Sequence, residues 1–185
     1  MKNAILAASA VFMLTACGGA TDADADGDGT ITQKEVQAAM GDVSISPGQW
    51  ENTVEFVDIS FDETKVPEEA RGMLTGMLEG MKGQINTTQN CVTPEEAEKP
   101  AAEMFSGNEN ADCEYNTFEF GGGTMNMEMT CQDPSSGTAK ITNTGTYSDD
   151  AYEMDMTVAI ESPEMGTMTI AASSKGKLIG ECPAE

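Results

Sequence analysis

The sequence predicts a mainly β domain, an antiparallel meander of seven or eight strands that curls into an open or closed barrel-like sheet with two short helices. From Pro47 onward, apolar and polar residues alternate with period two, which is typical of strands that have one solvated face. Clusters of glycine, proline, serine and aspartate separate the alternating runs. The chain has 185 residues, 39% of them hydrophobic, which suffices for one such domain and a short appendage.

Four alternating runs predict individual strands. Gln49–Phe61 alternates in its first half and then changes parity, which predicts a bulge or bend near Phe56. The other runs lie within residues 125–131, 152–160 and 168–172, and methionine occupies many of their apolar positions. Turns are predicted at residues 121–123, 134–137, 148–150, 163–166 and 175–177.

Two helices are predicted between the strands. The first is Pro67–Lys82, with an apolar stripe made of Met73, Leu74, Met77, Leu78 and Met81. The second is Pro94–Phe105, for which Thr93 is the predicted N-cap and Glu96 completes a capping box. Pro100 should break or kink this second helix.

Four cysteines of the β domain predict two disulfides in an oxidising compartment, with three possible pairings: Cys91, Cys113, Cys131 and Cys182. Phe118 and Phe120 should share a face with Met125 and Met127 across the Gly-rich turn. That register puts Cys113 and Cys131 on opposite faces, so we expect Cys91–Cys113 and Cys131–Cys182. A metal site at these cysteines is disfavoured because no two of them are closely spaced.

The N-terminus predicts export and a lipid anchor. Lys2 precedes an apolar run that is too short to span a membrane, so residues 1–16 are interpreted as a signal peptide. The run ends in LTAC, which resembles the lipobox of bacterial lipoproteins and implies acylation of Cys17, with residues 17–23 as a lipidated linker. Gly18 then implies sorting to the outer membrane, where we expect the protein to face the periplasm. The alternative is ordinary secretion, with Cys17 as a free thiol.

Residues 24–41 predict an EF-hand-type calcium loop followed by an exiting helix. The twelve-residue run DADGDGTITQKE resembles an EF-hand loop, with glycine at the sixth position and apolar Ile31 at the eighth. An entering helix and a second loop are missing, so we expect half an EF-hand with a weak Kd of about 10⁻⁴ to 10⁻³ M. The alternative is a flexible acidic linker. The predicted ligands are Asp24, Asp26, Asp28, Thr30, Thr32 and Glu35.

Charge and composition exclude several functions. Acidic residues number 32 against 9 basic ones, so the formal charge of −23 repels nucleic acid. The sequence has no histidine, which removes the usual general base near pH 7. Cations are too few for a phosphate site, and no nucleophile has a visible base, so we expect no enzymatic activity.

Short motifs resemble those of a family of periplasmic domains of unknown function. They are PGQWE at Pro47, CVTPEEAEKP at Cys91, MTC at Met129, GTYS before Asp149 and IGEC at Ile179. The resemblance covers residues 47–182, which we expect to form the β-rich periplasmic domain. It implies the compartment and the disulfides, but it supplies no catalytic residue.

Three functions compete at this point. The first is a calcium-binding envelope lipoprotein that acts as a structural or interaction module, with the membrane as partner through its lipid. The second is a carrier of an apolar ligand, for which methionine suits an adaptable pocket; the alternative is that these side chains only fill the core. The third is Cu(I) binding by thioether pairs, Met125/Met127 and Met154/Met156. The methionines of the predicted interior are Met125, Met127, Met129, Met154, Met156 and Met168.

Overall fold

The computed structural model describes residues 21–41, 43, 45–98, 112–133, 137–162 and 166–183. The predicted signal peptide and Cys17 lie outside these residues. None of the described helices is long and apolar enough to cross a membrane. In chain order the elements are β1 (Thr21–Asp22), α1 (Gln33–Ala39), β2 (Gly48–Phe61), α2 (Glu68–Met81), β3 (Ile85–Val92), α3 (Pro94–Ala97), β4 (Asp112–Gly121), β5 (Thr124–Asp133), β6 (Gly137–Tyr147), β7 (Ala151–Ser162) and β8 (Gly166–Gly180).

The strands form one antiparallel sheet in the spatial order β1–β4–β5–β6–β7–β8–β2–β3. Strands β4 to β8 are a meander, as predicted. Strand β2 pairs with β8 on one side and with β3 on the other, while β3 and β4 do not pair within the described residues. The mainly β class is therefore confirmed, and the sheet is open rather than closed.

Alternation along the strands gives the sheet an apolar face, which we call the inner face. Phe118 of β4 lies opposite Met127 of β5, and Phe120 lies opposite Met125, which confirms the predicted register at this hairpin. All four side chains are buried, with Phe118 fully inaccessible. Burial of this face supplies most of the hydrophobic stabilisation, at about 25 cal/mol for each Å² removed from water.

Two bulges change strand parity. The register between β2 and β8 shifts between Phe56 and Asp58, which confirms the predicted bulge. A second shift lies in β4 between Tyr115 and Thr117, where one residue has no opposite partner on β5. The apolar residues change parity at this bulge, from Cys113 and Tyr115 to Phe118 and Phe120, but the expected disulfide pairing did not take that change into account.

The predicted disulfide pairing is wrong. The bulge in β4 returns Cys113 to the face of Cys131, and the two residues lie directly opposite each other with Cα atoms 4.0 Å apart. The second disulfide joins Cys91 to Cys182, with Cα atoms 5.4 Å apart. It links β3 to the residues that follow β8, beside the start of β2, so it crosslinks one edge of the sheet.

The helices differ from expectation in extent and packing. α2 follows the predicted range within one residue at each end, but Met73 is 78% exposed and Met77 is 57% exposed, whereas Leu78 is buried. α3 has the predicted capping box at Thr93 but comprises only four residues. The rest of the predicted second helix, from residue 99, lies outside the described residues.

The predicted turn at residues 175–177 is wrong, because β8 runs through it without interruption. Gly176 lies under the aromatic ring of Tyr152, where a Cβ atom would come within 2.0 Å of a ring carbon. The glycine therefore serves close packing of an aromatic ring inside the sheet rather than a turn.

Candidate functional site

Half of the inner face is covered by the N-terminal segment, residues 21–41. Val36 of α1 and Met40, the C-cap residue of α1, are both 2% exposed and belong to the same buried cluster as Phe118, Phe120 and Met127. Apolar residues spaced three or four apart on a helix share one side, so a seven-residue helix suffices to present this pair. The core of the protein is therefore formed between α1 and strands β4 to β6.

Backbone contacts hold the N-terminal segment against β4. Thr21 pairs with Phe120, and the N–H of Ala23 donates to the carbonyl oxygen of Phe118 at 2.8 Å. Further on, Ile31 forms an antiparallel bridge with Tyr115 and is 8% exposed. These contacts cover the outer edge of β4, which would otherwise present unpaired backbone groups.

The rest of the inner face borders a cavity of about 520 Å³, which we call the apolar cavity. Its floor is formed by residues of β2, β3, β7 and β8. One side of the cavity is formed by Phe120 of β4, Met125 of β5, and Asn143 and Tyr147 of β6, and its wall by the end of α1 and the residues that follow. The volume lies within the range of about 300 to 1,000 Å³ typical of small-molecule sites. Its apolar lining comprises Met40, Val43, Ile45, Trp50, Val54, Val92, Phe120, Met125, Tyr147, Tyr152, Met154, Met156 and Ala172.

Polar side chains at the apolar cavity are few and mostly satisfied. The Tyr152 hydroxyl donates to Asn52 Oδ1 at 2.9 Å, and the Asn52 amide donates in turn to Asn90. The indole N–H of Trp50 donates to the Ser46 carbonyl oxygen at 2.9 Å. Asn143 differs, because its Oδ1 atom is buried without a hydrogen-bond partner. None of the described residues that line the cavity carries a charge.

Burial also raises the pKa values of two tyrosines in this region. It raises the pKa of Tyr115, beside the bridge to Ile31, above its ordinary value. Burial likewise raises the pKa of Tyr147, against a smaller opposing effect of the Gly123 backbone. Both hydroxyls therefore stay neutral at physiological pH, which keeps this side of the inner face uncharged.

Three of the six predicted calcium ligands lie together. Carboxylate oxygens of Asp24, Asp26 and Asp28 lie within 4.8 Å of one another. The backbone N–H groups of Gly27 and Gly29 donate to the two carboxylate oxygens of Asp24 at 2.9 and 3.1 Å. Gly29 has a φ of 84°, the left-handed conformation for which glycine was expected at the sixth loop position.

The other three predicted ligands have different surroundings. One carboxylate oxygen of Glu35 accepts from the backbone N–H and the hydroxyl of Thr32, each at 2.8 Å. These two hydrogen bonds to Thr32 hold the pKa of Glu35 below its ordinary value. Thr30 is exposed, and its N–H donates to Asp28 at 2.8 Å. Glu35 thus caps α1 and is not grouped with the three aspartates among the described residues.

The methionines of the predicted interior divide into two groups. Met125, Met154 and Met156 line the apolar cavity, whereas Met127 and Met129 are more deeply buried on the β5 side. Met168 of β8 is partly buried and lies farther along the sheet, opposite Ile160. Cu(I) binding by the Met-X-Met pairs stays an untested prediction.

Sequence reasoning missed several residues that line the cavity. The wall at Met40, Val43 and Ile45 comes from outside the alternating runs, and it reaches the sheet only through the tertiary packing of α1. Asn143 lies on the inner face between Met127 of β5 and Met156 of β7. The presence of a polar residue, Asn143, among the apolar residues of this face was the signal that could have indicated a site.

A family model described as a protein of unknown function (DUF3617) matches residues 45–182. No curated protein and no solved structure matches the chain. The matched range begins after α1, so it includes strands β2 to β8 and leaves out the N-terminal segment that covers half of the inner face.

Proposed function

The chain belongs to the DUF3617 family of proteins of unknown function, and we propose that it is an envelope lipoprotein that binds an apolar ligand in the apolar cavity. The observation that carries this proposal is the cavity itself, about 520 Å³ with a mainly apolar lining that includes four methionines. Methionine side chains adapt to ligands of irregular shape, because they are unbranched and polarisable.

Burial of an apolar ligand in the cavity supplies enough free energy for binding. Burying one methylene group contributes about 0.8 kcal/mol, so a chain of about ten carbons gains roughly 8 kcal/mol before the costs of association. The floor of the cavity consists of hydrogen-bonded strands β2, β7 and β8, so binding requires little ordering of the protein there, which favours affinity.

The position of the predicted anchor also supports the proposal. Thr21 of β1 pairs with Phe120, which lines the cavity, and only four positions separate Thr21 from Cys17. Four extended residues span at most about 14 Å. A lipid on Cys17 would therefore hold the cavity end of the sheet near the membrane, where apolar ligands are concentrated.

Trp50 provides a direct test, because it is the single tryptophan of the sequence and lines the cavity. We expect a brominated decane to quench the fluorescence of Trp50 saturably in protein that starts at Gly18 and so lacks the anchor. The same protein with its own acylated Cys17 shows whether the anchor itself competes for the cavity.

Two serine variants of β8 sharpen this test. Ser174→Leu adds volume at a residue that lines the cavity, whereas Ser173→Leu adds the same volume on the other face, between Glu55 and Asp155. We expect quenching to be lost in Ser174→Leu and retained in Ser173→Leu. Quenching that is equal in both variants, or absent from the parent protein, would refute ligand binding in the cavity.

A second function, calcium binding at residues 24–35, is favoured by a separate observation. Three carboxylates within 4.8 Å of one another repel each other, and a divalent cation relieves that repulsion. Thr30, Thr32 and Glu35 complete the proposed ligand set, for which the Glu35 carboxylate must release its hydrogen bonds to Thr32. The role of the ion is then to stabilise the N-terminal segment that forms the cavity wall.

Isothermal titration with calcium tests this second function. We expect a Kd of about 10⁻⁴ to 10⁻³ M, with heat lost in Glu35→Gln. Glu79→Gln on α2 is the control, because Glu79 is exposed and remote from the loop in sequence. At a calcium concentration ten times the Kd, stability should rise by about 1.4 kcal/mol. No heat at millimolar calcium would exclude the site.

A further inference from the structure

We infer that the ligand of the apolar cavity is uncharged and carries one hydroxyl-like polar group that hydrogen-bonds to Asn143. The inference rests on the proposed function, since it names the chemical class that the same cavity accepts. It depends on two observations, which are the unpartnered Oδ1 atom of Asn143 and the distribution of charge around the cavity.

Asn143 is an exception on the inner face. Its neighbours across the sheet are Met127 and Met156, and it follows Ile141 on the same face of β6. Its Oδ1 atom is buried without a partner, which costs free energy that a satisfied amide does not lose. By contrast, the nearby amide of Asn52 is hydrogen-bonded to Tyr152 and to Asn90.

An amide presents both an acceptor and a donor, and a half turn about its terminal bond exchanges them. A hydroxyl group also both donates and accepts, so it satisfies either orientation of the Asn143 side chain. A plain hydrocarbon leaves the amide unpartnered. The amide of Asn143 therefore selects an apolar molecule that has a polar group over one without it.

Charge excludes ionised ligands from the cavity. The seven described cationic residues, Lys34, Lys65, Arg71, Lys82, Lys140, Lys175 and Lys177, do not line it. An anion would also enter against the formal charge of −23. A cation is attracted to the protein as a whole, but no described carboxylate lines the cavity to pair with it.

Four ten-carbon molecules test the inference by displacement of the brominated probe from Trp50. They are decan-1-ol, decane, decanoate and decylammonium, compared at pH 8. We expect decan-1-ol to bind, with decanoate and decylammonium each at least 100-fold weaker. Asn143→Leu should weaken decan-1-ol about tenfold and leave decane unchanged or tighter.

Asn126→Leu is the matched control. Asn126 is an exposed asparagine of β5 whose amide donates to Glu119 at 2.8 Å on the other face of the sheet. Equal affinity of decan-1-ol for the parent protein and Asn143→Leu would overturn the inference and would indicate that only water contacts Asn143. Binding of decanoate as tight as that of decan-1-ol would also overturn it. If all four molecules fail to bind, the proposed function itself is wrong.

Discussion

The two halves of the inner face carry the same alternating pattern, but one half is buried under a helix and the other borders a cavity. On β4 and β5 the pattern lies mainly under α1, and Phe118 is fully buried there. Phe120 of β4, Met125 of β5 and Asn143 of β6 lie at the boundary, because they also line the cavity. On β2, β7 and β8 the pattern borders an apolar cavity, and Met156 is 37% exposed. Alternation thus determines which face is apolar, whereas a separate element determines whether that face becomes a core or a binding surface.

Each half also has its own disulfide. Cys113–Cys131 crosslinks the hairpin below α1, and Cys91–Cys182 crosslinks the strands that form the floor of the cavity. The cavity half lacks a packed interior, so covalent linkage contributes a larger share of its stability. The following predictions test this division of the sheet.

The largest effect should come from the disulfide of the cavity half. Its loop spans 91 residues, against 18 for Cys113–Cys131. The chain-entropy estimate gives about 4.6 kcal/mol for the longer loop and about 3.2 kcal/mol for the shorter one. Urea unfolding of the two double-alanine variants measures both losses. A larger loss for Cys113→Ala/Cys131→Ala would contradict the division.

The second-largest effect is expected from truncation of one side chain in each half of the inner face. Phe118→Ala should lower the free energy of unfolding by about 3 to 5 kcal/mol, because it leaves a void in a close-packed region. Met156→Ala should cost less than about 1 kcal/mol, because Met156 already borders empty space. Denaturant unfolding of both variants compares them, and equal losses would mean that the cavity half is packed as tightly as the other half.

A smaller effect is expected at the glycine below Tyr152. Gly176→Ala places a methyl group within 2.0 Å of the ring, so Tyr152 must shift, at a cost of about 1 to 3 kcal/mol. Trp50 stacks near this ring, with centroids 6.5 Å apart, so its emission should change as well. Gly80→Ala on α2 is the control, because an added Cβ atom meets no neighbour within 4 Å there. An unchanged Tyr152 environment in Gly176→Ala would show that the close contact is absent in solution.

The smallest effect should be the acid sensitivity of α1. Hydrogen bonds from Thr32 lower the pKa of Glu35 from its ordinary value of 4.5, so folding favours the ionised carboxylate. The resulting stability is complete above pH 4.5 and is lost as the pH falls through the lower pKa of the folded protein. Hydrogen exchange at Val36 and Met40 should accelerate over that range, and Glu35→Gln should abolish the pH dependence. Exchange that is independent of pH in the parent protein, after correction for intrinsic rates, would contradict this role.

The sequence predicted the sheet because its signals are local. Alternation identified the antiparallel strands, and the parity change in β2 located a bulge. The hairpin register of Phe118 and Phe120 followed from one glycine-rich turn. By contrast, the parity change in β4 has only two apolar residues on each side, Cys113 and Tyr115 before it and Phe118 and Phe120 after it, and missing it led to the wrong disulfide pairing. That β3 pairs with β2 and not with β4 depends on long-range contacts that no local pattern encodes.

The candidate site was predictable only in part. The spacing of the aspartates brought Asp24, Asp26 and Asp28 together because it acts over a few residues. The alternating pattern correctly placed the methionines on one face of the sheet. It did not show which other part of the chain covers that face. Whether a cavity remains depends on the length of α1 and on the path of the chain after it. Those are tertiary properties, so the wall at Met40 and Val43 required the structure.

Calorimetric titration with a series of linear alkan-1-ols measures whether the uncovered half of the inner face is a finite apolar binding site. We expect each added methylene group to tighten binding about fourfold until the cavity of about 520 Å³ is full, and longer chains to gain nothing further. No binding at any chain length, or an affinity that does not depend on chain length, would contradict this expectation.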